Sequence, residues 1–496
     1  MRMSCGRLLL FTWIWIAYLC SPAQSLVLKT DPSYYKPVQQ RADGQAPGLG
    51  LGICISGGGH RASNLGAAIL MALENYPYYD QKDTLFNLLN EMDYISGVSG
   101  GTWIGGAYMA RRLTHTGSIP YSLLRNFDKE LGNQLRKNYQ SGLILHLFNP
   151  RLWFSVKNTG DILEKRIHQN LLLGRKNHHI RLSDFLIPTW SDEPVKHPYF
   201  IPAATNFENF AQVPIMPDVV EKYQLHRYTH LMKAHNLPLR DSTNHTYDGG
   251  HLPLSIGVKA SSSFPVAIPV STFERTFPDS FLVTKDRYLR LTDGGLTDQL
   301  GYKPALTFLE QDHIARYKYL LVVDAKNKEV SSAYSRYRGR PNLIRVLVRA
   351  LYAGLESKYT TIFEDMERRA NLSQTQIITF NIYSLTQSFQ NFDLISYSRM
   401  NARIKSQLAE QLLTEYRGKS AEELLKAELD PTECLLLYHL YTKIGTKLKL
   451  TKDEQTIILL AGFQMVKAQS AQINRMITTS LLDSPIYIDE VITTKE

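Results

Sequence analysis

Two short hydrophobic stretches are each followed by a glycine-rich turn and then by a helical pattern. The first stretch, Leu51–Ile55, continues through Gly57–Gly59 into apolar residues at helical spacing between Leu65 and Leu73. The second consists of Tyr94–Ser96, a tight glycine turn and a helical pattern over about 100–112. Two strand–turn–helix units in succession are typical of a largely parallel sheet covered by helices. The chain is therefore predicted to be an α/β protein.

The remaining sequence suggests how the chain is organised. Residues 26–50 are rich in Pro, Gly and Gln, and are predicted to form an extended lead-in to an α/β domain over 51–390. An irregular insertion or lid is expected around 206–250, and residues 391–496 have a helical pattern. Further strands are predicted at 199–204, 288–292, 319–324 and 376–383.

The N-terminus has the pattern of a targeting signal. Arg2 and Arg7 precede the apolar run Leu8–Leu19, and small residues, among them Ser21 and Ala23, follow that run. This pattern predicts a secretory signal peptide over residues 1–25 and an exported protein, whether secreted, periplasmic or membrane-associated. An uncleaved anchor is the alternative, but a bilayer span needs about 20 apolar residues.

Composition excludes several classes of protein. Hydrophobic residues make up 44% of the 496-residue chain, which is enough for a sizeable core and argues against long disorder. The net charge of +10 is compatible with an anionic surface as partner but is too dilute to indicate nucleic acid. Only Cys54 and Cys434 lie beyond the leader, so no disulfide framework is expected and a bridge between them is not favoured.

A candidate nucleophile lies in the second glycine turn. Gly97-Val98-Ser99-Gly100-Gly101 matches the G-x-S-x-G pattern, after a predicted strand and before a predicted helix. A sharp turn in that context needs small neighbours and exposes the serine oxygen at a helix N-terminus. A chance match in a glycine-rich turn is the alternative, because the pentapeptide alone is a weak signal.

Two further elements could complete a site around Ser99. The first glycine turn reads Ser56-Gly57-Gly58-Gly59-His60-Arg61, and glycines let backbone N–H groups approach a bound oxygen. Arg61 could meet a phosphate or brace this loop. The third element is Asp293, which leaves a predicted strand before Gly294 and Gly295 and could act as a general base; the alternative is a turn-forming aspartate.

Four motifs in this order resemble those of the patatin-like phospholipase family, which also includes the catalytic domains of the calcium-dependent cytosolic phospholipases. The motifs are SGGGHRA at 56–62, GVSGGTW at 97–103, KASSSFPVAIPV at 259–270 and DGGLTDQLGYKPAL at 293–306. The resemblance covers about 51–383. It implies a three-layer fold with a central, mostly parallel sheet flanked by helices.

The resemblance also implies roles for individual residues. In that family a serine and an aspartate form a dyad without histidine, which here implies Ser99 as nucleophile and Asp293 as base. Gly57, Gly58 and Gly59 would form the oxyanion hole, and Arg61 would lie near it as a substrate-binding residue. The implied activity is hydrolysis of acyl esters of phospholipids or lysophospholipids through an acyl-enzyme, with no metal and no cofactor, by a protein that binds the membrane surface peripherally.

Alternative functions remain open. An acyltransferase would use the same acyl-enzyme, and an exported interaction protein could keep the fold without turnover. An α/β-hydrolase with a Ser-Asp-His triad needs a histidine after Asp293, where only His313 and His439 occur. His439 is expected to be a packed helix residue, and His60, in the glycine loop, is expected to face solvent.

One segment could contact an anionic membrane. Five arginines between Arg336 and Arg349 alternate with apolar residues, which is compatible with a helix lying in an anionic interface. An ordinary amphipathic helix packed on the sheet is the favoured alternative.

Overall fold

The computed structural model describes most of the chain from Gly48 onwards, together with one earlier dipeptide. The described residues are 24–25, 48–76, 87–115, 121–139, 141, 159–173, 180–185, 198–216, 228–232, 253–264, 268–275, 288–312, 315–326, 359–386, 399–447 and 449–482. Apart from Gln24 and Ser25, the predicted leader lies outside these residues, as do His313 and the Arg336–Arg349 segment.

The described elements include both strands and helices. The strands are β1 Gln24–Ser25, β2 Leu49–Ile55, β3 Tyr94–Gly97, β4 Tyr199–Asn206, β5 Gln212–Pro214, β6 Tyr228–Met232, β7 Ser271–Arg275, β8 Tyr288–Asp293, β9 Tyr317–Val323 and β10 Thr375–Phe380. The helices are α1 Gly59–Glu74, α2 Gly100–Thr114, α3 Leu123–Asn126, α4 Thr159–Arg166, α5 Leu254–Ser261, α6 Tyr302–Gln311, α7 359–372, α8 Ala402–Tyr416, α9 Ala421–Lys426, α10 Pro431–Thr442, α11 Lys452–Ala468 and α12 Ser470–Leu482.

The chain divides into two compact units, named here by their strand pairing. The parallel unit is drawn from Gln40–Lys137, Phe185–Ala203 and Gly294–Glu496. The antiparallel unit is drawn from Met1–Gln39, Asn138–Asp184 and Ala204–Asp293. Ser99 therefore lies in the parallel unit, and Asp293 is the last residue of the antiparallel unit.

The parallel unit contains a parallel sheet in the order β10-β9-β2-β3-β4. Its central strand, β2, is buried along its whole length and pairs with β3 on one side and β9 on the other. Strands buried on both faces read as continuous apolar runs, which explains why Leu51–Ile55 lacks a polar–apolar alternation. Parallel strands end at one edge, so the turns that follow β2, β3 and β9 leave the sheet on the same side.

Helices cover both faces of this sheet. A Cβ at Gly52 would lie 3.7 Å from Cβ of Ala305, in α6, whereas one at Gly66, in α1, would lie 3.0 Å from Cγ2 of Ile55. Successive side chains of a strand point to opposite faces, so α6 lies on one face of β2 and α1 on the other. The predicted three-layer α/β architecture, with a mostly parallel sheet flanked by helices, is confirmed.

The antiparallel unit contains the strands β1, β6, β7 and β8, each paired antiparallel with the next, together with the end of β4. Ala204 of β4 is in register with Asp293 of β8. The region predicted as an irregular insertion around 206–250 contributes β5 and β6. The helix α5 packs near α4, where the Ser255 hydroxyl donates a 2.6 Å hydrogen bond to Glu164.

The C-terminal region is helical in the residues described, as predicted. The helix α11 packs closely on α1, since a Cβ at Gly462 would lie 2.5 Å from Cβ of Ala68. The thiols of Cys54 and Cys434 are both free in this structure. Within the described ranges, no helix is both long and apolar enough to cross a bilayer.

Candidate active site

Ser99 occupies a strained turn between β3 and α2. Its backbone has φ 51° and ψ −117°, and it is the N-cap residue of α2. A positive φ is uncommon for a residue other than glycine and is a conformation that functional sites often hold. The turn is closed by hydrogen bonds from Gly101 N–H to Val98 O, at 2.8 Å, and from Thr102 N–H to Ser99 O, at 3.0 Å. This geometry matches the sharp strand-to-helix turn predicted from the G-x-S-x-G pattern, while the role of Ser99 as nucleophile stays a prediction.

The two glycines after Ser99 allow this turn to lie directly against the first glycine loop. A Cβ at Gly100 would lie 2.0 Å from the carbonyl oxygen of Gly59, and one at Gly101 would lie 2.1 Å from the carbonyl oxygen of Ile55. Any larger residue would force the two turns apart. The sequence predicts three elements of the site: the Ser99 turn, the glycine loop and Asp293. The structure places the first two in contact with each other.

The glycine loop has two backbone N–H groups that can receive an oxyanion. Gly58 and Gly59 have φ values of 141° and 59°, which favour glycine. The N–H of Gly57 instead donates a 2.9 Å hydrogen bond to the carbonyl oxygen of Gln299. No hydrogen bond from Gly58 or Gly59 N–H is found within the described part of the chain. The Gly57 N–H is therefore already engaged, while the oxyanion hole of Gly57, Gly58 and Gly59 stays a prediction.

Arg61 is buried and bonded to backbone oxygens. The side chain is 4% exposed, its Nε donates to Ala325 O at 2.9 Å, and its Nη1 donates to Ile444 O at 2.6 Å. Ala325 follows β9 and Ile444 follows α10, so the guanidinium links the start of α1 to two distant segments. These contacts fit a side chain that braces the glycine loop, while the substrate-binding role of Arg61 stays a prediction.

His60 is buried, so the expectation that it faces solvent is wrong. The helix α1 already begins at Gly59, which turns His60 inward against Trp103, with ring centroids 5.2 Å apart. Its Nε2 lies 2.6 Å from Lys137 O, and its backbone N–H donates to Lys447 O at 3.4 Å. Burial lowers the pKa of the imidazole, although the hydrogen bond to Lys137 opposes this. A protonated His60 is therefore disfavoured in the folded protein.

Acidification is expected to reduce the free energy of unfolding in part through His60. The folded state holds the pKa below its ordinary value of 6.5, so the unfolded chain binds a proton first. Stability should therefore decrease as the pH falls from about 6.5 to the lowered pKa of the folded protein. Urea titrations between about pH 7.5 and pH 5 measure this effect. The variant His60→Gln should show a shallower decrease, and parallel curves for variant and parent would contradict the assignment.

Asp293 is the buried last residue of β8, with 4% of its surface exposed. Its backbone is fixed within the antiparallel unit by the Ser263 carbonyl oxygen, which accepts the Asp293 N–H at 3.0 Å and the Thr292 hydroxyl at 2.7 Å. A sharp turn follows, and within the parallel unit a Cβ at Gly294 would lie 3.3 Å from Cγ1 of Val98. The sequence neighbours of Asp293 and Ser99 are thus close, while the pairing of the two side chains stays a prediction.

Asp298 is a residue that sequence reasoning missed. It is fully buried, and its carboxylate accepts the N–H groups of Leu300, Gly301 and Lys303 at 3.1, 3.0 and 2.9 Å, at the start of α6. These bonds fix the turn that presents the Gln299 carbonyl to the glycine loop. Asp298 is part of the sequence motif at 293–306, but only the structure shows which backbone N–H groups its carboxylate accepts.

Asp324, directly after β9, is a second buried carboxylate with no role predicted from the sequence. It accepts hydrogen bonds from the Tyr359 hydroxyl and, at 2.9 Å, from Lys326 N–H. Burial raises its pKa, while these two partners lower it. The next residue, Ala325, donates its N–H to the Ser56 hydroxyl at 2.8 Å and accepts from Arg61, so this turn also supports the glycine loop.

The two histidines considered for a triad are His439 and His313. His439 lies in α10, as expected of a packed helix residue, and its buried Nε2 has no hydrogen-bond partner in the described part of the chain. His313 lies outside the described residues. Within the described ranges, no three His, Cys, Asp or Glu residues are grouped so that they could hold a metal ion.

Comparison with known proteins identifies the family. The Patatin-like phospholipase family model matches residues 53–306, about half of the chain. Lysophospholipase 2 of Candida albicans is 31% identical over 108 residues, which are 21% of this chain and 16% of that protein. Phospholipase B of Cryptococcus neoformans is 32% identical over 76 residues, 15% of this chain and 11% of that protein. The chain thus matches only a small part of these curated relatives.

A solved structure of human GIVD cytosolic phospholipase A2 aligns over 97% of this chain and 67% of that chain, with 12% identity and a TM-score of 0.40. Independently of that alignment, the parallel sheet, the strained turn at Ser99 and the adjacent glycine loop define an α/β protein with a G-x-S-x-G turn between a strand and a helix. Because the family model spans both glycine turns and the Asp293 motif, the chain belongs to the patatin-like phospholipase family.

Proposed function

We propose that this protein is a lipolytic acyl hydrolase that cleaves fatty acyl esters of phospholipids or lysophospholipids. The observation that carries the proposal is the approach of Gly100 to Gly59, which sets the strained Ser99 turn against a loop with two available N–H groups. Family membership and the printed names of the curated relatives, lysophospholipase and phospholipase B, support the substrate class.

The proposed mechanism uses Ser99 and Asp293 as a dyad. Ser99 Oγ attacks the acyl carbonyl carbon while the Asp293 carboxylate accepts the hydroxyl proton. The resulting oxyanion accepts hydrogen bonds from the N–H groups of Gly58 and Gly59. Collapse of the tetrahedral intermediate breaks the ester C–O bond, and the proton on Asp293 passes to the leaving oxygen. Water then attacks the carbonyl carbon of the acyl-serine while Asp293 accepts a proton from the water. The proton on Asp293 passes to Ser99 Oγ as the bond between Oγ and the acyl carbon breaks and the fatty acid is released.

The product profile of the purified protein tests this function. Free fatty acid and the deacylated lipid should appear in equal amounts from phosphatidylcholine or lysophosphatidylcholine. The same reaction with an added alcohol acceptor separates hydrolysis from acyl transfer, because a transferase would form a new ester at the expense of free acid. Absence of both products with every ester supplied would contradict the proposal.

Export and peripheral membrane binding are also part of the proposal. The basic and apolar pattern of residues 1–25 supports a cleaved signal peptide. Expression of the full chain in a secreting cell, followed by N-terminal sequencing of the product, tests it. A mature N-terminus near residue 25 in the medium is expected, whereas an intact Met1 retained inside the cell would contradict export.

A further inference from the structure

The turn between β4 and β5, residues 207–211, presents two aromatic side chains to solvent. Phe207 is 43% exposed and Phe210 is 55% exposed. Phe210 also has φ 54°, a left-handed conformation that is a genuine outlier for a bulky residue. Two large apolar side chains held outward on one turn, one of them on a strained backbone, form a candidate contact surface. We call these five residues the Phe turn.

The Phe turn is held by its own hydrogen bonds. Asn206 N–H donates to Ala211 O at 2.7 Å, and Phe210 N–H donates to Asn206 O at 2.9 Å. Two asparagine side chains accept further backbone N–H groups of the turn: Oδ1 of Asn206 accepts Glu208 N–H at 3.0 Å, and Oδ1 of Asn209 accepts Ala211 N–H at 2.9 Å. The phenyl rings are therefore attached to a backbone that is already ordered, which lowers the entropic cost of binding.

The charge at the Phe turn is compensated. Glu208 is its only ionisable residue, and this carboxylate forms a 2.5 Å ion pair with Arg290 of β8. Arg290 also accepts the Phe207 N–H on its carbonyl oxygen at 2.8 Å. A neutral turn with apolar tips suits a zwitterionic lipid layer, where insertion depends on apolar area and little on salt.

The Phe turn lies close to the end of β8 within the antiparallel unit. Ala204 is in register with Asp293, and Phe207 follows Ala204 by three residues. At about 3.3 Å of rise per residue, this is a separation of about 10 Å along the strand. A surface that receives the Phe turn would therefore lie near the residue proposed as the base.

We propose that Phe207 and Phe210 insert into the interface of a phospholipid layer and anchor the enzyme there during catalysis. This inference rests on the proposed function, because it assumes that the substrate is drawn from a lipid layer. The occupant is the zwitterionic headgroup and acyl-chain boundary, where Phe side chains of interfacial segments bury their apolar surface.

Binding to vesicles of ether-linked phosphatidylcholine tests the inference separately from turnover, since these lipids have no acyl ester to cleave. Phe207→Ser and Phe210→Asn should each weaken co-sedimentation about tenfold, equivalent to about 1.4 kcal/mol. Asparagine tolerates a positive φ, so Phe210→Asn should fold at least as well as the parent. The matched control is Leu372→Ser in α7, because Leu372 is 77% exposed and lies in the parallel unit.

The expected pattern has three parts. Each Phe variant binds vesicles about tenfold more weakly than the parent at low and at high salt, and Leu372→Ser binds like the parent. All three variants hydrolyse a monomeric short-chain ester at the parental rate. Unchanged vesicle binding when Phe207→Ser and Phe210→Asn are combined in one chain would overturn the inference. A parental dimer in sedimentation velocity that the Phe substitutions convert to monomer would also overturn it. Failure of the parent to hydrolyse any ester would refute the proposed function and leave the binding result to decide the inference.

Discussion

Replacing Ser99 with alanine is expected to reduce acyl ester hydrolysis by at least about 10⁴-fold without changing the melting temperature. Alanine removes only the attacking oxygen, and the turn is closed by backbone hydrogen bonds that the substitution retains. Asp293→Asn should cause a loss of the same order, because an amide cannot accept the serine proton. The measurement is kcat/KM on a monomeric ester, which avoids any effect on binding to lipid layers.

The double variant distinguishes a dyad from two independent contributions. Groups that act as one unit are strongly non-additive, so Ser99→Ala combined with Asp293→Asn should be no slower than the slower single variant. His439→Ala provides the control, since its histidine is half-buried in α10 and is not part of the proposed site. A collapse of activity in His439→Ala, with unchanged melting behaviour, would favour a triad instead.

Replacing Arg61 with glutamine is expected to destabilise the protein by about 3–5 kcal/mol and to lower kcat on every ester. The guanidinium satisfies buried carbonyl groups of Ala325 and Ile444, and a shorter neutral side chain leaves at least one of them without its donor. The glycine loop, which begins the same helix, loses part of its support. Urea unfolding and kcat, measured on the same preparations, report the two effects.

The matched control for this prediction is Arg368→Gln, because the Arg368 side chain is 67% exposed and pairs only at the surface. Its free energy of unfolding should change by no more than about 0.5 kcal/mol. Arg61→Lys tests geometry, since a lysine keeps the charge but not the planar fork. Parental stability of Arg61→Gln, together with a raised KM for phospholipid but not for a neutral ester, would contradict the bracing role and support Arg61 as a substrate-binding residue.

The local features of this protein could be predicted from its sequence. The apolar run of β2 and the G-x-S-x-G turn after β3 are short segments whose conformation depends on residues adjacent in the sequence. The bounds of β2 and β3 in the structure therefore differ from the predicted bounds by two residues or fewer. The strained φ of Ser99 follows from the same pattern, because a strand and a helix must meet there within one turn.

The contacts that support the site could not be predicted, because their partners are distant in the sequence. His60 faces inward since Trp103 and the segment before α11 cover the first turn of α1, and no local pattern reveals that cover. Arg61 bonds to Ile444 across 383 positions of the chain. The sequence gives no reason to distinguish Gly57 from Gly58 and Gly59, yet in the structure the Gly57 N–H donates a hydrogen bond to the Gln299 carbonyl oxygen. A glycine pattern predicts backbone freedom but not which N–H groups stay available.

Reaction with a fluorophosphonate probe, followed by peptide mass spectrometry, tests the central claim most directly, because such probes bond covalently to activated serine oxygens. We expect a single adduct on Ser99 in the parent, and much slower labelling of Ser99 in Asp293→Asn, whose serine has no base. Labelling of another residue, or labelling of Ser99 at the parental rate in Asp293→Asn, would contradict the Ser99–Asp293 dyad.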